Sequence, residues 1–148
     1  MLPLLEEEYI QAGKVYYIYK DLTAFGAQSV TAATAAECAG ELGDYWTMHD
    51  WLFQNQTSWK FKLAAADIIT QGAVESGFDE EAFTECLQSS RYKQEITDDF
   101  AEARRIGAQG TPTFMINGRR YTGFMAWDNL RGVVERMLAE AETQKGQD

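Results

Sequence analysis

Two cysteines, one histidine and a Gly-Thr-Pro step hold whatever reactive chemistry this 148-residue chain contains. Thiol–disulfide exchange runs through a thiolate, and a reactive cysteine is favoured at a helix start or in Cys-x-x-Cys spacing, where its pKa falls. Cys38 and Cys86 have no such spacing and belong to different helical stretches. They read as a structural disulfide across a helical block, a staple of up to ~4 kcal/mol in the chain-entropy model. Two buried free thiols that pack as small hydrophobes are the alternative. His49, between Met48 and Asp50, would need a cysteine beside it to act in nucleophilic catalysis. No spacing provides that, so it reads as a helix histidine bonded within its own block. One histidine and no Cys/His cluster leave no metal site, and no motif calls for a cofactor. Gly110-Thr111-Pro112-Thr113-Phe114-Met115-Ile116-Asn117-Gly118 reads as a strand entered through Thr-Pro and left through an Asn-Gly turn of type I′ preference. Taken alone, the Thr-Pro step is what an edge strand tolerates at its start.

The elements that must position these residues follow from composition and period. A chain of this length forms one domain and buries roughly two-thirds of its unfolded surface. Hydrophobic residues are 45% and prolines only two, which predicts a packed core rather than disorder. The net charge of −10, with no run of Lys or Arg, argues against nucleic acid or an anionic membrane as partner. No apolar run reaches the ~20 residues of a membrane span, and Glu6-Glu7-Glu8 follows the opening Met1-Leu2-Pro3-Leu4-Leu5 too soon for a secretory signal.

Residues 4–12 read as the end of a helix closed by Gly13. Lys14-Val15-Tyr16-Tyr17-Ile18-Tyr19-Lys20, β-branched and aromatic, reads as a largely buried strand. From about residue 27 to 107 the pattern is helical. An alanine-rich helix ends near Gly40–Gly43 and a second runs from Tyr45 to Gln56. A third covers 63–76, a fourth is capped by Asp79, and a fifth holds Ile96, Phe100, Ala103 and Ile106. A strand at 112–117 and its partner at 119–123 precede a last helix, with Trp127, Leu130, Val134, Met137, Leu138 and Ala141 on one face. Trp46, Trp51, Phe53, Trp59 and Phe61 read as core and lid of the helical block. Glu6-Glu7-Glu8 and Asp98-Asp99 read as solvated helix faces, and Asp128 as a favourable charge at the start of the last helix.

The order helix, strand, five helices, hairpin, helix resembles the DsbA-like thiol–disulfide oxidoreductases, which insert a helical block into a thioredoxin core. The likeness covers nearly the whole chain. Residues 2–15 resemble that family's run from its active-site helix into the next strand. Lys20-Asp21-Leu22 resembles the strand exit, with Thr23 where a proline is common. Ala36-Glu37-Cys38-Ala39 and the stretch from Tyr45 to Phe53 resemble the start of the insert. Phe83-Thr84-Glu85-Cys86-Leu87 and Gly107 to Gly118 complete the match. The resemblance implies an α/β fold, an incomplete thioredoxin-like fold of about three strands with an all-helical insertion. Residues 1–26 and 107–142 would be its discontinuous core, 27–106 the insertion and 143–148 a polar tail.

The resemblance also implies what is absent. The family's Cys-x-x-Cys motif and the central strand before it would lie upstream of Met1, whether Met1 is a true start or the family's residue at that point. No catalytic residue is therefore assigned. Gly110, Thr111 and Pro112 would be the cis-proline loop, a backbone edge for a substrate peptide, with Thr111 beside the thiolate. A sheet lacking its central strand leaves backbone groups unpaired at ~1–3 kcal/mol each, so a second chain or a rearranged segment is expected to supply it. Partners would be protein or peptide thiols and disulfides, plus a second copy or a strand donor. The compartment would be extracytoplasmic, on the periplasmic or cell-envelope side. The expected function is disulfide formation or exchange by a protein of which these residues are the part downstream of the active cysteines, inactive alone. The alternative is a non-catalytic thioredoxin-like module that binds peptides or assembles through its open sheet. A weaker third reading is a relative of the DsbA-fold glutathione-using isomerases and transferases.

Overall fold

The structure, a computed structural model, describes residues 2–145. The chain divides into two compact units, Met1–Lys20 with Arg104–Asp148, and Asp21–Ala103. Each has a core of its own.

The discontinuous unit opens with α1, Leu2–Leu5, continued by a π-helical turn, Glu6–Ile10. Its end is closed by two reversed bonds, Gly13 N–H to the Ile10 carbonyl at 2.9 Å and Lys14 N–H to the Tyr9 carbonyl at 2.9 Å. That pair satisfies two carbonyls a helix end would otherwise leave open. The unit's sheet is the antiparallel hairpin of β1, Thr113–Ile116, and β2, Arg119–Thr122, in the register Thr113↔Thr122 to Ile116↔Arg119. Asn117 and Gly118 both take positive φ, 46° and 79°, the geometry of a type I′ turn that only Gly and Asn/Asp enter cheaply. The last helix, α8, is Trp127–Lys145. It buries Leu130, Val133, Val134 and Met137, and Leu130 and Val134 pack with Leu5 and Tyr9.

Residues 14–20 depart from the sequence expectation. They are not a strand: the described sheet has two members, in the order β1–β2. A strand is defined by its ladder, and strand propensity without an adjacent ladder does not make one. The expected burial is also only half present. Val15, Tyr17 and Tyr19 are half-buried while Tyr16, Ile18 and Lys20 are exposed, a period-2 alternation that keeps one face inward. Burial raises the pKa of Tyr17. Thr143 to Lys145, expected as polar tail, continue α8. Residues 146–148 of that tail, and Met1, lie outside the described residues.

The contiguous unit is all helical: α2 Ala27–Glu41, α3 Tyr45–Gln54, α4 Gln56–Trp59, α5 Ala65–Glu75, α6 Glu80–Gln88 and α7 Lys93–Arg105, of which Arg104 and Arg105 belong to the discontinuous unit. That is six helices where five were expected, because the Tyr45–Gln56 stretch breaks at Asn55 and restarts as α4. Asp44 caps α3 by accepting the Thr47 N–H at 3.0 Å, and Asp79 caps α6 by accepting that of Ala82 at 2.8 Å. The core joins small residues of α2 (Ala32, Ala35, Ala36, Ala39) to Met48, Leu52, Ile69 and Phe83. Alanines on α2 let its neighbours approach closely, and large side chains from α3, α5 and α6 fill the space. Gly72 of α5 serves the same end. A Cβ there would sit 2.0 Å from the Trp51 ring, and Trp51 packs against this core.

Candidate functional site

The Thr111–Pro112 peptide bond is cis. It lies between α7 and β1, and the hairpin fixes it on one side: Gly123 N–H donates to the Pro112 carbonyl at 2.8 Å. On the other side Thr113 Oγ1 donates to the Gly110 carbonyl at 2.7 Å. Gly110 and Pro112 are half-buried and Thr111 is exposed. Among the described residues, nothing hydrogen-bonds to the Thr111 backbone or hydroxyl. β1 uses one edge for β2 and pairs with no other described strand. Gly110 to Ile116 therefore present a short backbone edge that ends at an exposed Thr-Pro step. An edge of this kind accepts a further strand or an extended peptide through main-chain bonds. Met115 is exposed on this hairpin while Ile116 packs into the core with Tyr9 and Leu130.

Tyr9 donates its hydroxyl to Glu135 of α8, and that bond, with burial, raises the Tyr9 pKa. Arg131 lies 3.6 Å from Glu8, and Arg119 reaches Glu140 at 3.1 Å. Arg120 donates to the Ile106 carbonyl at the end of α7. These contacts fix the hairpin and the π-helical turn within their unit.

Cys38 of α2 and Cys86 of α6 form a disulfide, with Cα atoms 5.7 Å apart. Both residues are at most 2% exposed, so the bond lies beyond the reach of a thiolate outside. Neither cysteine is a candidate nucleophile, and the chain has no other. Glu41, one turn beyond Cys38, places Oε2 3.9 Å from the Cys86 sulfur. The same carboxylate takes bonds from the Arg91 guanidinium and, at 2.8 Å, from the Tyr92 hydroxyl. Arg91 first and Tyr92 second lower the Glu41 pKa. Burial, reinforced by Glu41, pushes Tyr92 up to about 12. This cluster clips the segment before α7 to the disulfide-bonded pair of helices. No sequence signal marks it, because its members stand about fifty residues apart along the chain.

His49 Nδ1 lies 2.9 Å from Asp50 Oδ1, with its ring 5.0 Å from Trp46 and 4.9 Å from Phe53. Asp50, Trp46 and Phe53 all belong to its own helix, α3. Asp99 corrects the reading of Asp98-Asp99 as a solvated face: it is buried and accepts the Asp21 N–H at 3.1 Å. Trp46, Phe53 and Phe61, read as core and lid, are exposed, whereas Trp59 is buried and donates to the Leu52 carbonyl at 3.0 Å. Among the described residues no group of three or more His, Cys, Asp or Glu could hold a metal ion. No described helix is long and apolar enough to cross a membrane.

Comparison with known proteins places this geometry in company. A family model described as thioredoxin matches residues 2–136. A Rickettsia typhi protein named as a protein-disulfide oxidoreductase is 26% identical over 98% of this chain and 53% of its own length. A Bacillus cereus protein named as disulfide bond formation protein D is 29% identical over 80% of this chain and 56% of its own. The chain spans about half the length of these curated relatives. The crystal structure of Wolbachia pipientis alpha-DsbA1 superposes with a TM-score of 0.81 at 20% identity, covering 97% of this chain and 78% of that one. At that identity the likeness is one of fold.

Proposed function

Since the chain belongs to the thioredoxin family, in the DsbA-like form with a helical insertion, we propose that it forms the substrate-facing part of a thiol–disulfide oxidoreductase. The observation that carries this reading is the exposed Thr111 backbone at the end of a strand edge that no other described strand covers. Gly110, Thr111 and Pro112 would hold an extended substrate peptide by its backbone. The relatives named for disulfide chemistry support the reaction class.

Exchange needs two thiols: one thiolate attacks a substrate disulfide sulfur and the second thiol resolves the mixed disulfide. This sequence holds no free cysteine, so the reacting pair would come from residues outside it. In this reading the 148 residues alone do not turn over a disulfide. Their sheet edge takes the strand that brings the pair, or a strand from a second copy, and residues 1–26 and 107–142 act as a core around the insertion at 27–106. Substrates would be protein thiols and disulfides. The buried Cys38–Cys86 bond supports an extracytoplasmic site of action, because such bonds persist in oxidising compartments.

The test is insulin reduction by dithiothreitol. The chain alone is expected to match the uncatalysed rate. A fusion carrying an added N-terminal strand that ends in a Cys-x-x-Cys pair is expected to exceed it, and Thr111→Arg in that fusion to lose the gain. Turnover by the chain alone, or a folded fusion without activity, would overturn the proposal. The lack of a free thiol also favours a second reading, a peptide-binding module. An inactive folded fusion that still binds an extended peptide at Thr111 would favour it.

A further inference from the structure

Phe25, Phe61 and Leu63 stand clear of the core of the helical unit, at 63%, 73% and 106% relative exposure. Exposed apolar residues scattered singly are ordinary, but these are gathered at one corner. Lys60 Nζ lies 5.1 Å from the Phe61 ring centroid and 5.8 Å from that of Phe25, which brings the segment before α2 against the segment after α4. Phe61 takes φ 61°, a left-handed conformation that is an outlier for a bulky side chain and that clusters at functional positions. Its foundation is firm. Trp59 is buried and bonded to Leu52, Lys60 N–H donates to Gln56 at 2.9 Å, and Lys62 N–H to Trp59 at 3.1 Å. The backbone thus turns both Phe61 and Leu63 outward from a rigid base.

Charge is distributed in the same sense. The chain has 23 acidic residues, yet neither 22–36 nor 51–66 contains one, and Lys60 and Lys62 are the only charges in those two stretches. Asp21, Glu37, Asp50 and Asp67 border the two stretches. The cavity behind Phe25 and Phe61 is about 70 Å³, too small for a ligand pocket of a few hundred Å³. The feature is a set of projecting tips rather than a groove. A protein partner would need a matching cleft, whereas the headgroup layer of a bilayer yields around such tips.

We propose that this corner is a peripheral membrane contact that takes an anionic lipid surface. Phe25, Phe61 and Leu63 enter the headgroup–acyl boundary, and Lys60 and Lys62 pair with lipid phosphates. The net charge of −10 does not forbid this: screening over about 8 Å at physiological salt leaves the local lysines in control at the point of contact. Two lysines and three apolar tips give reversible binding rather than a fixed anchor.

Co-sedimentation with vesicles decides the matter. The 148-residue chain is expected to pellet with an equimolar phosphatidylcholine–phosphatidylglycerol mixture and to remain in solution with phosphatidylcholine alone. Lys60→Gln with Lys62→Gln lowers partitioning on the order of tenfold. Phe61→Asn with Leu63→Ser abolishes it while leaving the thermal midpoint unchanged or raised, since Asn accepts the left-handed φ. In a Phe61→Trp variant the added indole shifts its emission to the blue on binding. No sedimentation with the mixed vesicles overturns the proposal. So does equal sedimentation with phosphatidylcholine alone, or binding that survives the Phe61/Leu63 variant.

Discussion

Cys38 and Cys86 close a loop of 48 residues, which the chain-entropy model rates at ~4 kcal/mol. Replacing both by alanine is expected to lower unfolding stability by ~2–4 kcal/mol, read as a fall in the urea midpoint. Because both sulfurs are buried, dithiothreitol should reduce the bond only at urea concentrations that open the unit. Rapid reduction in native buffer would contradict that. Tyr92 gives an alkaline signature. Its folded pKa, about 12, stands above the ordinary 10.0, so the protonated form is favoured by folding. Its contribution is fully present below pH 10 and is lost as pH rises toward 12, where a phenolate would face Glu41. Glu41 has the opposite sign: its pKa is lowered from 4.5, so its contribution is present above that value and fades as pH falls. Tyr92→Phe should flatten the alkaline limb of a stability–pH curve, and an unchanged limb would remove Tyr92 from the account. The two cysteines could be counted in the sequence. The carboxylate that joins Arg91 and Tyr92 beside them could not, because nothing local ties position 41 to 91.

Elements whose ends rest on local chemistry were legible. Asp79 before α6, Asn117-Gly118 between β1 and β2, and the apolar face of α8 each follow from a cap, a turn preference or a 3.6-residue period acting within a few positions. Lys14–Lys20 was not, because β-propensity states only that a segment suits a sheet, while the partner comes from elsewhere. Gly72 shows the limit from the other side. Mid-helix glycine normally costs ~1 kcal/mol relative to alanine, yet a Cβ there would meet the Trp51 ring at 2.0 Å. Gly72→Ala is therefore expected to destabilise by ~1–3 kcal/mol through overpacking, despite its better helix propensity. A thermal melt settles the sign. Gly72→Ala with Trp51→Leu should recover part of the loss.

The whole molecule is two units whose cores share no residue. The helical one is contiguous, carries the disulfide and buries Phe83, Met48 and Ile69 completely. Expressed as Asp21–Ala103, it is expected to unfold in one cooperative urea transition, as a unit with its own core does. A gradual loss of helix signal would show that it depends on the rest of the chain. The other unit has a two-stranded sheet, which is marginal in water without a further strand. Hydrogen exchange should accordingly be fast in β1 and slow in α2, and fall in β1 when a strand or peptide occupies its edge.

The sequence by itself determined the family, the helical insertion, the hairpin and the proline step, because order, spacing and turn chemistry are written along the chain. The Cys38–Cys86 bond was the favoured reading of the sequence and the structure forms it; tertiary structure alone decided that Glu41 gathers Arg91 and Tyr92, that Asp99 is buried and that Phe61 faces outward. Each of these depends on which distant segments come within a few ångströms of one another, a property of packing that no local pattern encodes.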